Sequence, residues 1–223
     1  MTLVLIAMLL CTPADESLTV TLVEGTATSG GASLSVGSVL HVGDTVQTQQ
    51  GGRIEIAIPG GSLIRLGENS RFIISITEPR KRFNARLLIG DLWTRVHKLL
   101  GGQSFEIETE NGVAGVRGTE FRLAVETDQP DVLRVYEGDV QVQGRYERWS
   151  HQVGPGNELR FRRDATPPQP FDPAGENGHA FMQWVRSRPT RDGMEPGRVR
   201  EHERRKEDPE DRQRHRRERQ HQR

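Results

Sequence analysis

Three glutamates alternate along one stretch of the chain, at Glu106, Glu108 and Glu110. Side chains two residues apart on a strand lie on the same face, so three carboxylates could together bind a cation or a basic partner. Two carboxylates less than about 10 Å apart in a cleft could also hydrolyse a cell-wall sugar. The same spacing is typical of the solvated face of an ordinary strand, and we interpret the glutamates in this way.

Other catalytic and metal-binding patterns are absent from the sequence. The seven histidines show no pairing at metal-ligand spacing, and Ser150-His151 lies in no nucleophile elbow. The glycines of Gly112–Gly118 precede a threonine, but the segment lacks the Gly-Lys-Ser/Thr ending of a phosphate loop and leads into a strand pattern instead of a helix. The sequence therefore predicts a protein that is not an enzyme and that holds no cofactor or metal.

A Gly-Asp pair follows an apolar stretch at three places, Gly43-Asp44, Gly90-Asp91 and Gly138-Asp139. Glycine permits a positive φ or a bulge where one strand turns into the next, and aspartate can accept hydrogen bonds from the amides of its own turn. These aspartates are expected to be turn residues and not catalytic acids.

The elements that would carry these residues are short strands. Between Leu18 and Arg163 apolar and polar residues alternate, as in Ile54, Ile56 and Ile58, and Gly, Asp or Asn interrupts the pattern roughly every ten residues. This pattern predicts an all-β fold, a jelly-roll-like antiparallel β-sandwich or barrel of short strands, each with one face in water.

Composition divides the 223 residues into regions of different character. We expect residues 15–163 to form the β-domain, 164–178 a Pro/Gly linker, 179–188 a short helix with Phe181, Trp184 and Val185 on one face, and 189–223 a charged disordered tail. Basic and acidic residues both total 31, but residues 186–223 contain 14 basic and 9 acidic ones. Aromatic residues are too sparse among the basic ones to predict a specific nucleic-acid site.

The amino terminus begins with an apolar run, Leu3–Leu10, that is too short to span a membrane but has the length of a signal-peptide core. Small residues at Thr12 and Ala14 are typical of a cleavage site, so residues 1–14 are expected to be a signal peptide and the protein to be periplasmic or otherwise extracytoplasmic. Cys11 is the only cysteine, which excludes a disulfide framework. It could be a lipoprotein cysteine, although Leu9-Leu10 are not the small residues that such a signal requires.

The segment Gly112–Phe121 resembles the most characteristic segment of the FecR domain family, in which a strand runs into an A-x-V-R-G-T-x-F turn and strand. Four further segments resemble the family's motifs in the same order: Leu40–Thr48, Gly60–Leu66, Leu88–Leu92 and Val135–Val140. The resemblance covers roughly residues 20–163. It implies an extracytoplasmic all-β domain, best known from transmembrane regulators that relay a signal from an outer-membrane receptor to a cytoplasmic sigma factor.

The functional prediction follows from this resemblance and from the missing catalytic groups. We expect a non-catalytic binding protein that contacts a protein or glycan of the cell envelope. The alternative is an envelope signal-transduction component related to the FecR-type sigma-factor regulators. An amino-terminal cytoplasmic domain with a membrane span and a carboxy-terminal receptor-contacting module are not evident, which favours the first prediction.

The candidate site is the turn Arg117-Gly118-Thr119. Gly115 and Gly118 are expected to permit backbone conformations closed to other residues, with a positive φ at Gly118, and Thr119 is expected to hydrogen-bond a nearby amide. The planar guanidinium of Arg117 suits carbonyls or a carboxylate of the protein itself, or a ligand if the turn is exposed.

Overall fold

The computed structural model describes residues 17–78, 81–99, 101–188 and 190. The predicted signal peptide and all but Thr190 of the predicted tail lie outside the described residues. Within them the protein is all-β, with a single short helix near the end, which confirms the predicted fold class. None of the described helices is long and apolar enough to cross a membrane.

The described residues form seventeen strands, one 3-10 turn and one α-helix. In chain order these are β1 (Leu18–Glu24), β2 (Ala27–Ser29), β3 (Ala32–Ser33), β4 (Val39–Leu40), β5 (Thr45–Thr48), β6 (Arg53–Ala57), β7 (Leu63–Leu66), β8 (Arg71–Glu78), β9 (Arg82–Arg95), β10 (Ser104–Glu108), β11 (Gly112–Val116), β12 (Glu120–Val125), β13 (Asp131–Glu137), β14 (Val140–Gly144), β15 (Ser150–Val153), β16 (Asn157–Phe161), β17 (Gln169–Pro170), the 3-10 turn Gly175–Gly178 and helix α1 (Ala180–Arg186).

The strands make two sheets that share the long strand β9. Sheet A has the order β4-β1-β6-β7-β9-β12-β13-β16-β17. Sheet B has the order β3-β2-β5-β8-β9-β10-β11-β14-β15. All neighbours are antiparallel except β9 and β10. Residues 82–89 of β9 pair within sheet B and 90–95 within sheet A, so the strand passes from one sheet to the other at Gly90.

One hydrophobic core contains the inward-facing residues of both sheets. The alternation in β6 shows the pattern, because Ile54 and Ile56 are buried in this core while Glu55 between them points outward. Phe83 of β9 and Phe105 of β10 stack with ring centroids 4.7 Å apart. Neither sheet closes on itself within the described strands, so the arrangement is the sandwich and not the barrel of the prediction.

The chain after β16 lies against the outer face of sheet A. Residues 169–170 of the expected linker pair with 157–158, and Glu176 is only 3% exposed. Helix α1 falls inside the expected helical segment and packs on Trp93 and Tyr136 through four buried side chains, Phe181, Met182, Trp184 and Val185. The expectation of a wet outer face is therefore wrong for the middle of sheet A, because the carboxy-terminal segment covers it.

Candidate functional site

The Arg-Gly-Thr turn joins β11 to β12. Gly118 has φ of +69°, and a Cβ atom there would lie 3.2 Å from the Cα of Lys98. A larger residue at this position would be strained by its backbone and crowded by the chain after β9. Thr119 is 1% exposed, and its hydroxyl has no hydrogen-bond partner within the described residues, so the expected bond to an amide is not formed. Its carbonyl accepts from the Val96 amide instead.

The Gly-Asp turn between β13 and β14 packs directly against the Arg-Gly-Thr turn. A Cβ atom on Gly138 would lie 2.5 Å from the Gly118 carbonyl oxygen and 2.8 Å from Cγ2 of Thr119, so only glycine allows the two turns to approach this closely. Two turns that belong to different sequence motifs therefore lie together at one corner of the domain.

A solvent-open groove of about 510 Å³ lies at this corner. It is lined by Arg95, Val96, His97, Lys98, Arg117, Gly118, Thr119, Glu137, Gly138 and Asp139. Arg117 is exposed and makes no hydrogen bond or ion pair with the rest of the described chain. Lys98 and Asp139 are also exposed, so the groove presents both charges to solvent. Such a surface suits a polar or charged segment better than an apolar small molecule.

A second concentration of charged groups crosses the outer face of sheet A. Six residues lie directly opposite one another on consecutive strands: Glu55, Arg65, Trp93, Arg122, Arg134 and Glu158. We call this set the arginine row. Adjacent side chains of a cross-strand row are close enough to interact. The three arginines therefore lie between a glutamate at each end and around a central tryptophan.

The arginines of the row form hydrogen bonds and ring contacts with neighbouring residues of the same sheet. Arg65 donates from Nε to Glu55 (2.8 Å), and its guanidinium lies 4.9 Å from the ring centroid of Trp93. Arg134 donates to Glu158 at 2.8 Å, and Arg122 donates to Asp91 at the same distance. Arg65 is only 1% and Arg122 5% exposed, so each needs these acids to offset its desolvation.

The carboxy-terminal segment supplies the remaining partners of the row. We call residues 175–188 together with Thr190 the strap. Arg122 and Arg134 donate to the same oxygen, Oε1 of Glu176, at 3.0 and 2.9 Å, and the hydroxyl of Tyr136 donates to Oε2 at 2.5 Å. Burial, and next the charge of Glu176, raise the pKa of Tyr136 well above its ordinary value. The phenol therefore remains a donor to this carboxylate.

Arginines also bind the end of helix α1. Arg65 donates from Nη1 to the carbonyl oxygens of Val185 (2.8 Å) and Arg188 (3.1 Å), at and just after the carboxy-terminal end of the helix, where carbonyls lack the partners of a helix interior. The Val185 carbonyl also accepts from the Arg188 amide. Arg95 lies on the same face as the row and donates to Oγ1 of Thr190 at 2.5 Å. Four arginines from four strands thus each donate to the strap.

The other candidate acids of the sequence have structural partners. Glu108 accepts hydrogen bonds from Asn84, Arg86 and Arg145. Partial burial alone would raise the pKa of Glu108, but these hydrogen bonds outweigh it and hold the pKa below its ordinary value. The described residues contain no group of three or more His, Cys, Asp or Glu side chains placed to hold a metal.

The three Gly-Asp aspartates differ from one another. Asp44 accepts a hydrogen bond from the His41 amide, as expected of a turn residue. Asp91 instead lies in β9 and pairs with Arg122, and Asp139 lines the groove at the corner.

Sequence reasoning named the Arg-Gly-Thr turn and the Gly138-Asp139 turn separately, but it did not predict that they pack together, and it missed the arginine row. Arg117, Gly118 and Thr119 lie together at the groove, and Gly138-Asp139 lies beside them. Arg65, Arg95, Arg122 and Arg134 occupy the polar positions of alternating strands, where the sequence predicted only solvated side chains. After Pro173 the sequence has an acidic residue followed by a helix with apolar residues on one face, which indicates that this segment docks on the domain. The strands on which it docks depend on strand register, which the sequence pattern does not provide.

Comparison with known proteins agrees with this architecture. Residues 44–141 match the family model described as FecR protein, a range that runs from the turn before β5 into β14 and includes both turns of the corner. No curated protein matches the chain. Two crystal structures of a proposed anti-sigma factor from Parabacteroides distasonis, at 1.65 and 2.50 Å resolution, each superpose with a TM-score of 0.50 and 14% identity.

The match to these structures covers 57% of this chain and 60% of theirs. At this identity the likeness concerns the fold alone. The family match and the motif order agree over the same strands, and residues 44–141 of this chain are therefore a FecR domain.

Proposed function

We propose that this protein is a FecR-type component of a signal-transduction system and that it acts by binding a partner protein. The FecR domain at residues 44–141 carries the proposal. The fold likeness to a proposed anti-sigma factor supports a regulatory role, which the sequence analysis held as its alternative. Of the protein and glycan partners expected from the sequence, the proposal takes the protein. No catalytic step is part of it.

The corner groove is the surface that we assign to partner binding. Its turns are fixed by the close approach of Gly138 to Gly118, so Arg117 extends from a backbone that is already ordered. A guanidinium without a partner in the described chain can bind a carboxylate or a row of carbonyls at a small ordering cost. Lys98 and Asp139, which also line the groove, would orient a polar segment of the partner.

We also propose that the protein acts outside the cytoplasm. The support is the apolar run Leu3–Leu10 with its small residues at Thr12 and Ala14. Amino-terminal sequencing of the protein from its native host tests this, because cleavage after Ala14 is expected and an intact Met1 in the mature protein contradicts it.

Affinity capture tests the regulatory proposal. The full-length protein is the bait, with Arg117→Glu as the test variant and Arg148→Glu as the control, since Arg148 is also exposed and lies away from the groove. We expect a signalling protein of the envelope to be retained, with a loss of about tenfold or more for Arg117→Glu and little change for Arg148→Glu. Equal retention of the partner by both variants would show that the partner binds outside the corner groove.

A gene deletion tests the regulatory role separately. Deletion of the gene should alter the transcripts of one sigma-factor regulon, and an unchanged transcriptome would contradict a regulatory role.

A further inference from the structure

We propose that the arginine row is a docking site for a short helical segment that carries an acidic residue ahead of its aromatic residues. In this structure the strap occupies the site as a tethered segment of that kind, and a partner segment of the same chemistry would bind by displacing it. The inference deepens the proposed function by giving the chemistry of a partner. It rests on that function only for the identity of the partner, since the site itself can be tested with this chain alone.

The chemistry of the strap interface is that of a recognition surface. Arginine, tryptophan and tyrosine are the residue types that dominate protein–protein hot spots, and here they are Arg65, Arg122, Trp93 and Tyr136 on the sheet, with Trp184 on the strap. Charge-assisted hydrogen bonds from arginine give geometric specificity. Helix–sheet contacts inside a domain are normally apolar. A contact that uses four arginines is therefore better suited to binding one particular segment than to forming a hydrophobic core.

The sheet contacts the strap at three points. Glu176 accepts from Arg122, Arg134 and Tyr136. Trp184 packs between guanidinium groups, with those of Arg53 and Arg65 at 5.7 and 5.9 Å from its ring centroid. The carbonyls of Val185 and Arg188 bind Arg65. A competing segment therefore needs a carboxylate, an aromatic residue about two helical turns later and a free helix carboxy terminus.

The site is separable from the main core of the domain. The residues under the strap form a cluster of their own, distinct from the large core between the two sheets. The tether that joins β16 to the strap, residues 162–174, contains no buried residue, and four of its residues are prolines. The tether contacts the domain through Ala165, which packs against the inter-sheet core, and through the pairing of residues 169–170 with β16. The apolar side chains of the strap pack in the smaller cluster, so the strap can leave the sheet while the inter-sheet core stays in place.

Helix α1 depends on the face that it covers. It has seven residues, and helices of this length are not stable alone in water. Short helices that fold in a groove through an apolar face and a few charged contacts are a common mode of peptide recognition. A helix of this kind, held near its site by a tether, exchanges with a competitor once the competitor exceeds the effective concentration that the tether provides, on the order of millimolar.

Peptide exchange into the cut full-length chain tests the site. A protease sequence is inserted after Thr166, the full-length protein is folded and cut, and a fluorescein-labelled peptide of residues 172–190 is added. We expect saturable binding by anisotropy, at least about tenfold weaker for the Glu176→Gln and Trp184→Ala peptides. The uncut protein should bind the wild-type peptide at least about a hundredfold more weakly, because its own strap competes.

Substitutions on the sheet give the matched control. Arg134→Ala, which removes one donor to Glu176, should weaken peptide binding by about tenfold. Arg160→Ala on the neighbouring strand should leave it unchanged, since among the described residues the Arg160 side chain hydrogen-bonds only Glu158. Unfolding of the cut protein, or a cut strap that never exchanges with peptide while circular dichroism shows an intact fold, would overturn the proposal. Capture by the corner groove is a separate measurement, so failure of peptide exchange leaves the proposed regulatory function standing.

Discussion

The arginine row and the Arg-Gly-Thr corner place the same residue type in opposite environments. Arg122 of the row is almost fully buried and donates to Asp91 and Glu176, whereas Arg117 of the corner is exposed and has no partner in the described chain. Arg122 lies on β12, and Arg117 lies in the turn just before that strand. What separates them is the carboxy-terminal segment, which crosses sheet A and leaves the corner open.

This difference indicates two ways in which one domain can use arginine. At the corner the backbone is fixed by glycine contacts and the side chain is left free for an outside ligand. In the row the side chains are fixed by ligands that the chain itself supplies. The corner is therefore a site that is ready to bind, and the row is a site whose occupant must first leave.

Substitution of a row arginine should produce the largest effect on stability. Arg122→Ala leaves the buried Glu176 without one of its donors and Asp91 without its arginine partner, so we expect the free energy of unfolding to fall by about 3–5 kcal/mol. Arg160→Ala is the control, because its side chain is 54% exposed and its loss should cost less than about 1 kcal/mol. Urea denaturation measures both, and similar small losses would mean that the strap does not bury the row.

A substitution at the corner should have a smaller effect that acts through the backbone. Gly118→Val places a β-branched residue at φ of +69° near the chain of Lys98, and we expect a loss of about 1–3 kcal/mol. Gly115→Val in β11 is the matched control, since its φ lies outside the positive region and the nearest atom to a Cβ there is 3.8 Å away. Equal thermal midpoints for the two variants would show that the turn tolerates a side chain.

The sequence allowed prediction of the two turns of the corner, but not of their contact or of the arginine row, for a physical reason. Turn geometry is local, so the glycines at 118 and 138 reveal it, and the alternation of Ile54 and Ile56 reveals the strands and their inward faces. The arginine row depends on the register of six strands. Its burial depends on the strap, whose Glu176 lies more than 40 residues after Arg134 in the sequence. Alternation indicates which side chains point outward, but it does not reveal what covers them.

The pH dependence of the strap should be the smallest effect. Burial, and next the charge of Arg122, lower the pKa of His179 below its ordinary value of 6.5, so the folded state favours the neutral ring. Protonation then favours the open or unfolded chain, and the contribution to stability is complete above pH 6.5 and declines as the pH falls below it. His179→Gln should remove this decline from thermal midpoints measured across the window. The same slope in the variant would assign the pH dependence to another group.

The most direct test of the covered row is amide hydrogen exchange on the unmodified full-length protein. If the strap lies on sheet A, the amides of Gln183 and Ser187, which donate to carbonyls one helical turn earlier, should exchange at least about a hundredfold more slowly than in a free peptide of residues 172–190. Exchange of this segment at the free-peptide rate, while the strands of the FecR domain stay protected, would contradict the account and leave the arginine row open to solvent.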